Sequence, residues 1–427
     1  MTADGGRPRW LARHPGTWFI IGLLTMGLAL KATGVLDEDE PSINTRSELV
    51  VLSGADESAG RQRQRLIDEW NSVPGHVKAR LESLSTESDD QHSGMVSRAQ
   101  ASNPTVDVYN LDATWTAEFA TAGYLYPLDS PDVTGFLPGP LATCQYDGKT
   151  WALPFNTDAG LLYYRKQVAD RLPRTLPPAP NDIRSMREAD PALKAGFATP
   201  LSSYEGLSVS ALEAIWANGG DVYDEEKDLI VIDQPKAVEA LRQLAAAMKS
   251  ADGLPPSVDP GSTGFQESTT RQAFQSGEVA LMRNWPVAYT ALWNADPPMR
   301  DFGVRALPYA SVLGGQNLAV SSGTWDQKAA QELVEFLTSQ TSERTLFEKG
   351  GLAATRTAVY DELKDTHPYA ATLLDALRTA RPRPKTAYYA LFSNTLQDVV
   401  TEALNNDGEL PADAVARLTN AVHGRVN

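Results

Sequence analysis

Three short β-rich runs, separated by helical stretches and packed into about sixty residues, constrain this chain's fold more than any other feature. Leu49-Val50-Val51-Leu52 ends at Ser53-Gly54. A helical stretch follows in which Leu66, Ile67 and Trp70 are apolar among charged residues. From Val77 to Leu84, Val77, Ala79, Leu81 and Ser83 alternate with their neighbours, the two-residue period of a strand. Asp89 to Ala101 reads as helix, and Val106-Asp107-Val108-Tyr109 as a third strand. Strands spaced by helices require crossover connections, so the expected class is α/β. Later, Asp233 is expected to cap a helix with Pro235 in its first turn and Val238, Leu241, Leu244, Ala245 and Met248 on its apolar face. A similar helix is expected from Asp326 to Ser339, with Ala330, Leu333, Phe336 and Leu337 on one side. The Pro-rich stretch 172–180 reads as a surface loop, and no internal repeat is visible.

The 427 residues suggest two or three domains. With 38 Lys+Arg against 54 Asp+Glu, the formal net charge is −16, which excludes generic steering to nucleic acid. The single cysteine, Cys144, excludes an intrachain disulfide and a Cys-based zinc site. At the N-terminus, Arg7, Arg9 and Arg13 precede an apolar run from Trp18 to Leu30, and Asp37-Glu38-Asp39-Glu40 follows. This is the layout of an export signal, and with Ala32 to Leu36 the run approaches the length of a membrane span. The expected division is a basic cytoplasmic stretch (1–16), a signal or membrane anchor (17–36) and a linker (37–47). Positive-inside orientation places the remainder outside the cytoplasm. Cleavage and retention both remain open.

No short catalytic signature is present. His14, His76, His92, His367 and His423 show no paired metal-ligand spacing. Gly148-Lys149-Thr150 resembles the tail of a phosphate-binding loop, but Thr143 stands where its first glycine belongs. There is no G-x-S-x-G elbow. Acid pairs such as Asp89-Asp90 are expected by chance in so acidic a chain, and no metal or cofactor is implied. What recurs is an aromatic residue beside amides and carboxylates. Val108 to Trp115 puts Asp112 and an indole after an apolar strand; Pro154 to Gly160 offers Asn156 and Asp158; Arg283-Asn284-Trp285-Pro286 repeats the theme. Such sets suit a sugar, whose C–H face stacks on an indole and whose hydroxyls match planar polar groups in a closed cleft.

Five blocks carry a specific likeness: Asp107 to Leu128, Tyr146 to Arg165, Phe265 to Tyr289, Leu313 to Leu337 and Arg381 to Ser393. In order and over about residues 48–404, the chain resembles family 1 extracellular solute-binding proteins, the sugar receptors of ABC importers of trehalose/maltose type. The resemblance implies two α/β lobes with a multi-strand hinge and an interlobe cleft. Lobe 1 would comprise 48–155 plus about 310–362, and lobe 2 would comprise 156–309 plus about 363–427. Asp112, Asn156, Asp158, Glu267, Trp285, Gly315 and Arg383 match ligand-contacting positions. Gln91 falls in a cleft-lining segment, and Glu57 follows the first strand.

Each residue also has a structural alternative. Asp112 could cap a helix starting near Ala113. Trp285 could be core, and Asn156 and Asp158 could organise a turn. Arg383, between Pro382 and Pro384, could be a solvated loop residue. Gly315 could serve a turn or a close backbone approach, and Glu267 could complement a helix dipole. Two departures from the family stand out: no lipid-bearing cysteine follows the apolar run, and Gln316 stands where many relatives have Trp. The implied function is an extracytoplasmic, monomeric, non-catalytic receptor for a di- or oligosaccharide, working with ABC permease subunits and tethered by its N-terminal helix. A membrane-anchored sugar sensor is the alternative.

Overall fold

The computed structural model describes residues 46–101 and 104–426. The N-terminal basic stretch, apolar run and most of the linker therefore lie outside the described residues. Among those described, no helix is long and apolar enough to cross a membrane.

Two mixed sheets organise the chain. The first contains β1 (Glu48–Ser53), β2 (Lys78–Ser83), β3 (Val108–Asp112), β4 (Ala152–Ala159) and, from much later in the sequence, β9 (Leu313–Val320). The second contains β5 (Leu161–Arg165), β6 (Ala195–Ala198), β7 (Val279–Asn284) and β8 (Phe302–Ala306). The helices used below are α1 (Gln62–Ser72), α2 (Ser88–Ala99), α3 (Glu205–Ala217), α4 (Pro235–Ala247), α5 (Glu267–Ser276), α6 (Gln327–Leu337) and α7 (Tyr389–Asn405).

The first sheet runs β2-β1-β3-β9-β4. Strands β1, β2 and β3 are parallel, as the α1 and α2 crossovers demand, while β9 is antiparallel to both β3 and β4. The expected two-residue period of β2 is that of an edge strand: Ala79 is buried while Lys78 and Arg80 face solvent. Charged side chains there discourage pairing with another chain. One face of the sheet packs Leu49, Val51, Val108, Leu318 and Leu153 on Leu66, Ile67 and Trp70 of α1 and on Ala330 and Leu333 of α6. Trp70 keeps its polar end satisfied, its Nε1–H donating to Val77 O at 2.7 Å. The opposite face packs Leu52, Tyr109 and Leu111 against Met95 of α2 and Phe119.

The second sheet runs β8-β5-β7-β6, with β7 parallel to β6 and antiparallel to β5. On one side Leu162, Phe197 and Leu281 pack with α3, α4 and α7; on the other Leu161, Tyr163 and Met282 meet Phe274 of α5. The chain passes from the first sheet to the second at Gly160, between β4 and β5, and returns through 307–312, between β8 and β9.

Several local expectations need correction. Gln234, not Asp233, holds the N-cap of α4, because Pro235 occupies the first helical position and fixes the register. Asp326 does cap α6, accepting the Ala329 N–H at 3.0 Å. The Pro-rich stretch is the expected loop, with Arg174 and Thr175 exposed, but it is not solvated throughout: Pro173, Leu176 and Pro178 are buried, and Leu176 joins the core beside Val168 and Ile183. Its Pro180 opens the helix Pro180–Ala189.

Candidate functional site

The carboxyl ends of β1 and β3 and the facing part of β9 and β4 gather polar side chains on the α1 face of the first sheet. Gln316 of β9 stands opposite Asp112 of β3 and Asn156 of β4 in register, and Gly314 stands opposite Asp158. Such a strand-end position is where open α/β sheets form crevices. The sheet floor is tightly knit. Gln316 Oε1 accepts from Arg63 Nη2 of α1 and from Asn110 Nδ2, the latter at 3.1 Å. Arg63 is buried and also reaches Ser53 Oγ at 3.3 Å. Gln316 is therefore committed to this lobe's own network. Asn156 is 3% exposed, and its Oδ1 is buried without a hydrogen-bond partner.

Asp158 is half-buried with no hydrogen bond to its carboxylate. Desolvation, only partly offset by Arg63 and Arg283 and reinforced by Asp112 and Glu57, pushes its pKa up to about 7. Glu57 is raised for the same first reason, with Arg63 lowering it and Glu267 raising it. Asp89 is pushed up to about 6 by desolvation and then by Glu205. Glu267 of α5 acts on Glu57, Glu205 of α3 acts on Asp89, and Arg283 of β7 acts on Asp158, so groups carried by both sheets face a common space.

From the second sheet, β7 ends at Asn284 and delivers Trp285. The indole is half-buried and held on two sides. Its Nε1–H donates to Glu267 Oε1 at 3.1 Å, and the Arg283 guanidinium lies over the ring at 3.7 Å. Glu267 also accepts from Tyr204 OH at 2.6 Å. The far edge of the ring points at the first sheet, where a Cβ on Gly314 would lie 3.4 Å from it and 3.2 Å from Asp158 Cβ. Gly314 thus leaves the indole and Asp158 side by side. Gly315 has a backbone reason of its own: its φ is +124° and a Cβ would lie 2.6 Å from Thr157 Cα.

Arg383 is not a solvated loop residue. It is 5% exposed and bridges the sheets, Nη2 donating to Asp112 Oδ1 at 2.9 Å and Nη1 to Glu205 Oε1 at 2.7 Å. Asp112 also accepts from Thr114 N and Oγ1 at 2.9 and 2.7 Å. This turn precedes the helix Thr116–Thr121, so Asp112 shapes the approach to a helix that starts three residues later than expected. Glu267 opens α5 and lies in its first turn, where a carboxylate suits the dipole. Gln91 lies against Gly54 after β1 and donates to Thr86 O at 3.0 Å; Glu57, in the β1–α1 connection, is exposed. The nominated residues thus gather in three groups: Asp112 with Arg383, Glu267 with Trp285, and Asn156, Asp158 and Gly315 on the β4–β9 edge. Gln91 and Glu57 make no hydrogen bond or ion pair with them.

Sequence reasoning missed Arg63, Asp89, Glu205 and Glu213. Glu205 and Glu213 carried a readable signal, since they are the only charged residues of the largely apolar α3 (EGLSVSALEAIWA). Arg63, in a run of exposed-looking polar residues, carried none.

The sequence and fold are shared with known proteins. A probable ABC transporter-binding protein of Deinococcus radiodurans is 28% identical over 386 residues, which is 84% of this chain and 89% of that one. A maltotriose-binding protein of Pyrococcus abyssi is 26% identical over 53% of this chain and 49% of its own length. The structure of maltose-bound T. maritima MalE3 superposes with a TM-score of 0.78 at 30% identity, covering 88% of this chain and 99% of that one. The GacH receptor of Streptomyces glaucescens shares the fold at 22% identity, with a TM-score of 0.74 over 89% of this chain and all of its own. The family profile described as bacterial extracellular solute-binding protein matches residues 75–372. With a two-lobe fold and 298 of its residues spanned by that profile, the chain belongs to the bacterial extracellular solute-binding protein family.

Proposed function

We propose that the chain is the extracytoplasmic receptor of an ABC-type importer and closes its lobes on a di- or oligosaccharide. The observation that supports this most directly is Trp285, braced by Glu267 and Arg283 and set edge-on against Gly314 and Asp158 of the opposite sheet. An aromatic face beside an unpartnered carboxylate and an unpartnered amide oxygen suits one sugar ring, its C–H face on the indole and its hydroxyls donating to Asp158 and Asn156. In this reading Asp112, Glu267 and Arg383 act as much by holding the walls as by touching ligand, and Gly315 lets β9 approach β4. Gln91 and Glu57 line the mouth. Lobe 1 takes 48–155 with about 310–362, and lobe 2 takes 156–309 with about 363–427. Closure, not chemistry, is the useful work, since ligand binding stabilises one arrangement of two lobes. The receptor acts as a monomer, tethered or secreted through its N-terminal segment. The relatives are binding proteins and a transporter-binding protein, so the sensing alternative is set aside.

The test is a thermal-shift and calorimetric panel of maltose, maltotriose, trehalose and neutral monosaccharides against the purified protein. A saturable shift with at least one disaccharide or longer sugar is expected. No shift with any of them would remove the sugar reading.

A further inference from the structure

Helix α3 carries two charged residues, Glu205 at its start and Glu213 in its buried interior, so Glu213 must find a cation inside the protein. It finds Arg283 of β7. The two are 2% and 1% exposed and joined as a fork, Nε to Oε2 at 2.9 Å and Nη2 to Oε1 at 2.7 Å. Burial alone would weaken Arg283's charge, but Glu213 more than restores it. A buried pair of this kind adds little net stability over an apolar packing, so its placement is the informative feature.

That placement is at the two passages that lead strand to strand between the sheets. Glu213 Oε1 accepts the Val312 N–H at 3.0 Å, on the segment returning to β9. At Gly160, the residue joining β4 to β5, a Cβ would lie 2.8 Å from Glu213 Oε1 and 2.9 Å from Arg283 Nη2. The ion pair therefore fills the space a side chain would take there. On its other side the same guanidinium stacks on Trp285 at 3.7 Å. One planar group thus touches the indole, and through Glu213 it reaches both crossing segments.

We propose that Arg283 and Glu213 are positioning residues that fix the Trp285 platform and tie it to both inter-sheet crossings, so that a ring stacked on Trp285 is felt at the hinge. The coupling to ligand rests on the sugar-receptor reading; the anchoring of the crossings does not. Hydrogen exchange by mass spectrometry on the full chain tests the anchoring without ligand. The variants are Arg283→Met/Glu213→Leu, which leaves no unpaired buried charge, and Glu213→Gln and Arg283→Lys as milder changes. Exchange in segments 157–163 and 307–313 is expected to rise about tenfold in the double variant, with β1–β3 unchanged. Maltotriose as probe should bind about tenfold more weakly to the double variant. Arg283→Lys should recover much of the protection but not the affinity, because an ammonium keeps the charge without the fork or the stacking plane. Wild-type exchange in both segments, or a rise spread evenly over the second sheet, would overturn the proposal. If the wild-type chain bound neither maltose nor maltotriose, the sugar reading would fall, and the exchange result would still decide the role of the pair.

Discussion

Asp158 carries the first expectation at the scale of single residues. Its carboxylate has lost water without gaining a hydrogen bond, and its pKa stands near 7 instead of 3.8. The native state therefore keeps a proton between about pH 4 and 7 that the unfolded chain has released. Asp158's contribution to native-state stability therefore falls as pH rises through that window, and its penalty is complete above about pH 7. Asp158→Asn should accordingly raise the unliganded melting temperature at pH 8, leave it nearly unchanged at pH 4, and flatten the slope between. An unaltered pH slope in a melting series would show that Asp158 is solvated. Trp285 gives the second residue-scale expectation. It is half-buried, unlike the core Trp70, and truncating a core tryptophan costs roughly 3–5 kcal/mol. Trp285→Ala should lower affinity for the best sugar on the order of tenfold while shifting the unliganded melt less than a core truncation does. A large melt loss with undiminished affinity would return the residue to the core.

At the scale of elements, what the sequence revealed and what it hid divide along local against long-range physics. Strands β1, β2 and β3 were legible because their apolar runs and periods are local, and the cap of α6 because Asp326 meets its N–H three residues on. The partners of β9 were not legible. A strand from residues 313–320 inserted between β3 and β4 is fixed by pairing across more than 150 residues, which no local period records. Gly315 was readable as a glycine with a purpose, but the purpose appears only in the pairing, where Thr157 of β4 leaves no room for a Cβ. Gly315→Ala combines a forbidden φ of +124° with that clash. It should cost at least the ~1–3 kcal/mol of a strained backbone position, read in a denaturant titration. A loss below ~0.5 kcal/mol would mean that β9 can move off β4. The site was legible in the same uneven way. Asp158 and Trp285 announced themselves beside short polar-aromatic motifs, whereas Arg63 enters only through its packing against Gln316 of β9.

For the whole molecule, the question is what holds two sheets together across a polar cleft. Apolar contact cannot do it where the facing groups are Glu57, Asp89, Asp158 and Glu267. The structure uses a buried cation instead: Arg383 joins Asp112 at the end of β3 to Glu205 at the head of α3. Glu205 is held in turn by Tyr389 OH and Ser393 Oγ of α7, both at 2.6 Å. A smaller tie runs from Gln266 Nε2, just before α5, to Glu87 Oε2, just before α2, at 2.7 Å. Removing the arginine would leave two carboxylates facing each other with little water, a change that costs about 3–5 kcal/mol when a buried pair loses one member. Separation of the lobes relieves that cost by hydrating both acids without unfolding either lobe. Arg383→Met should therefore shift the unliganded protein toward a more open arrangement, seen as a larger radius of gyration in small-angle scattering. Saturating sugar should shrink it again. An unliganded radius equal to that of the wild type, together with an unchanged melt, would show that the bridge between Asp112 and Glu205 does not hold the lobes together.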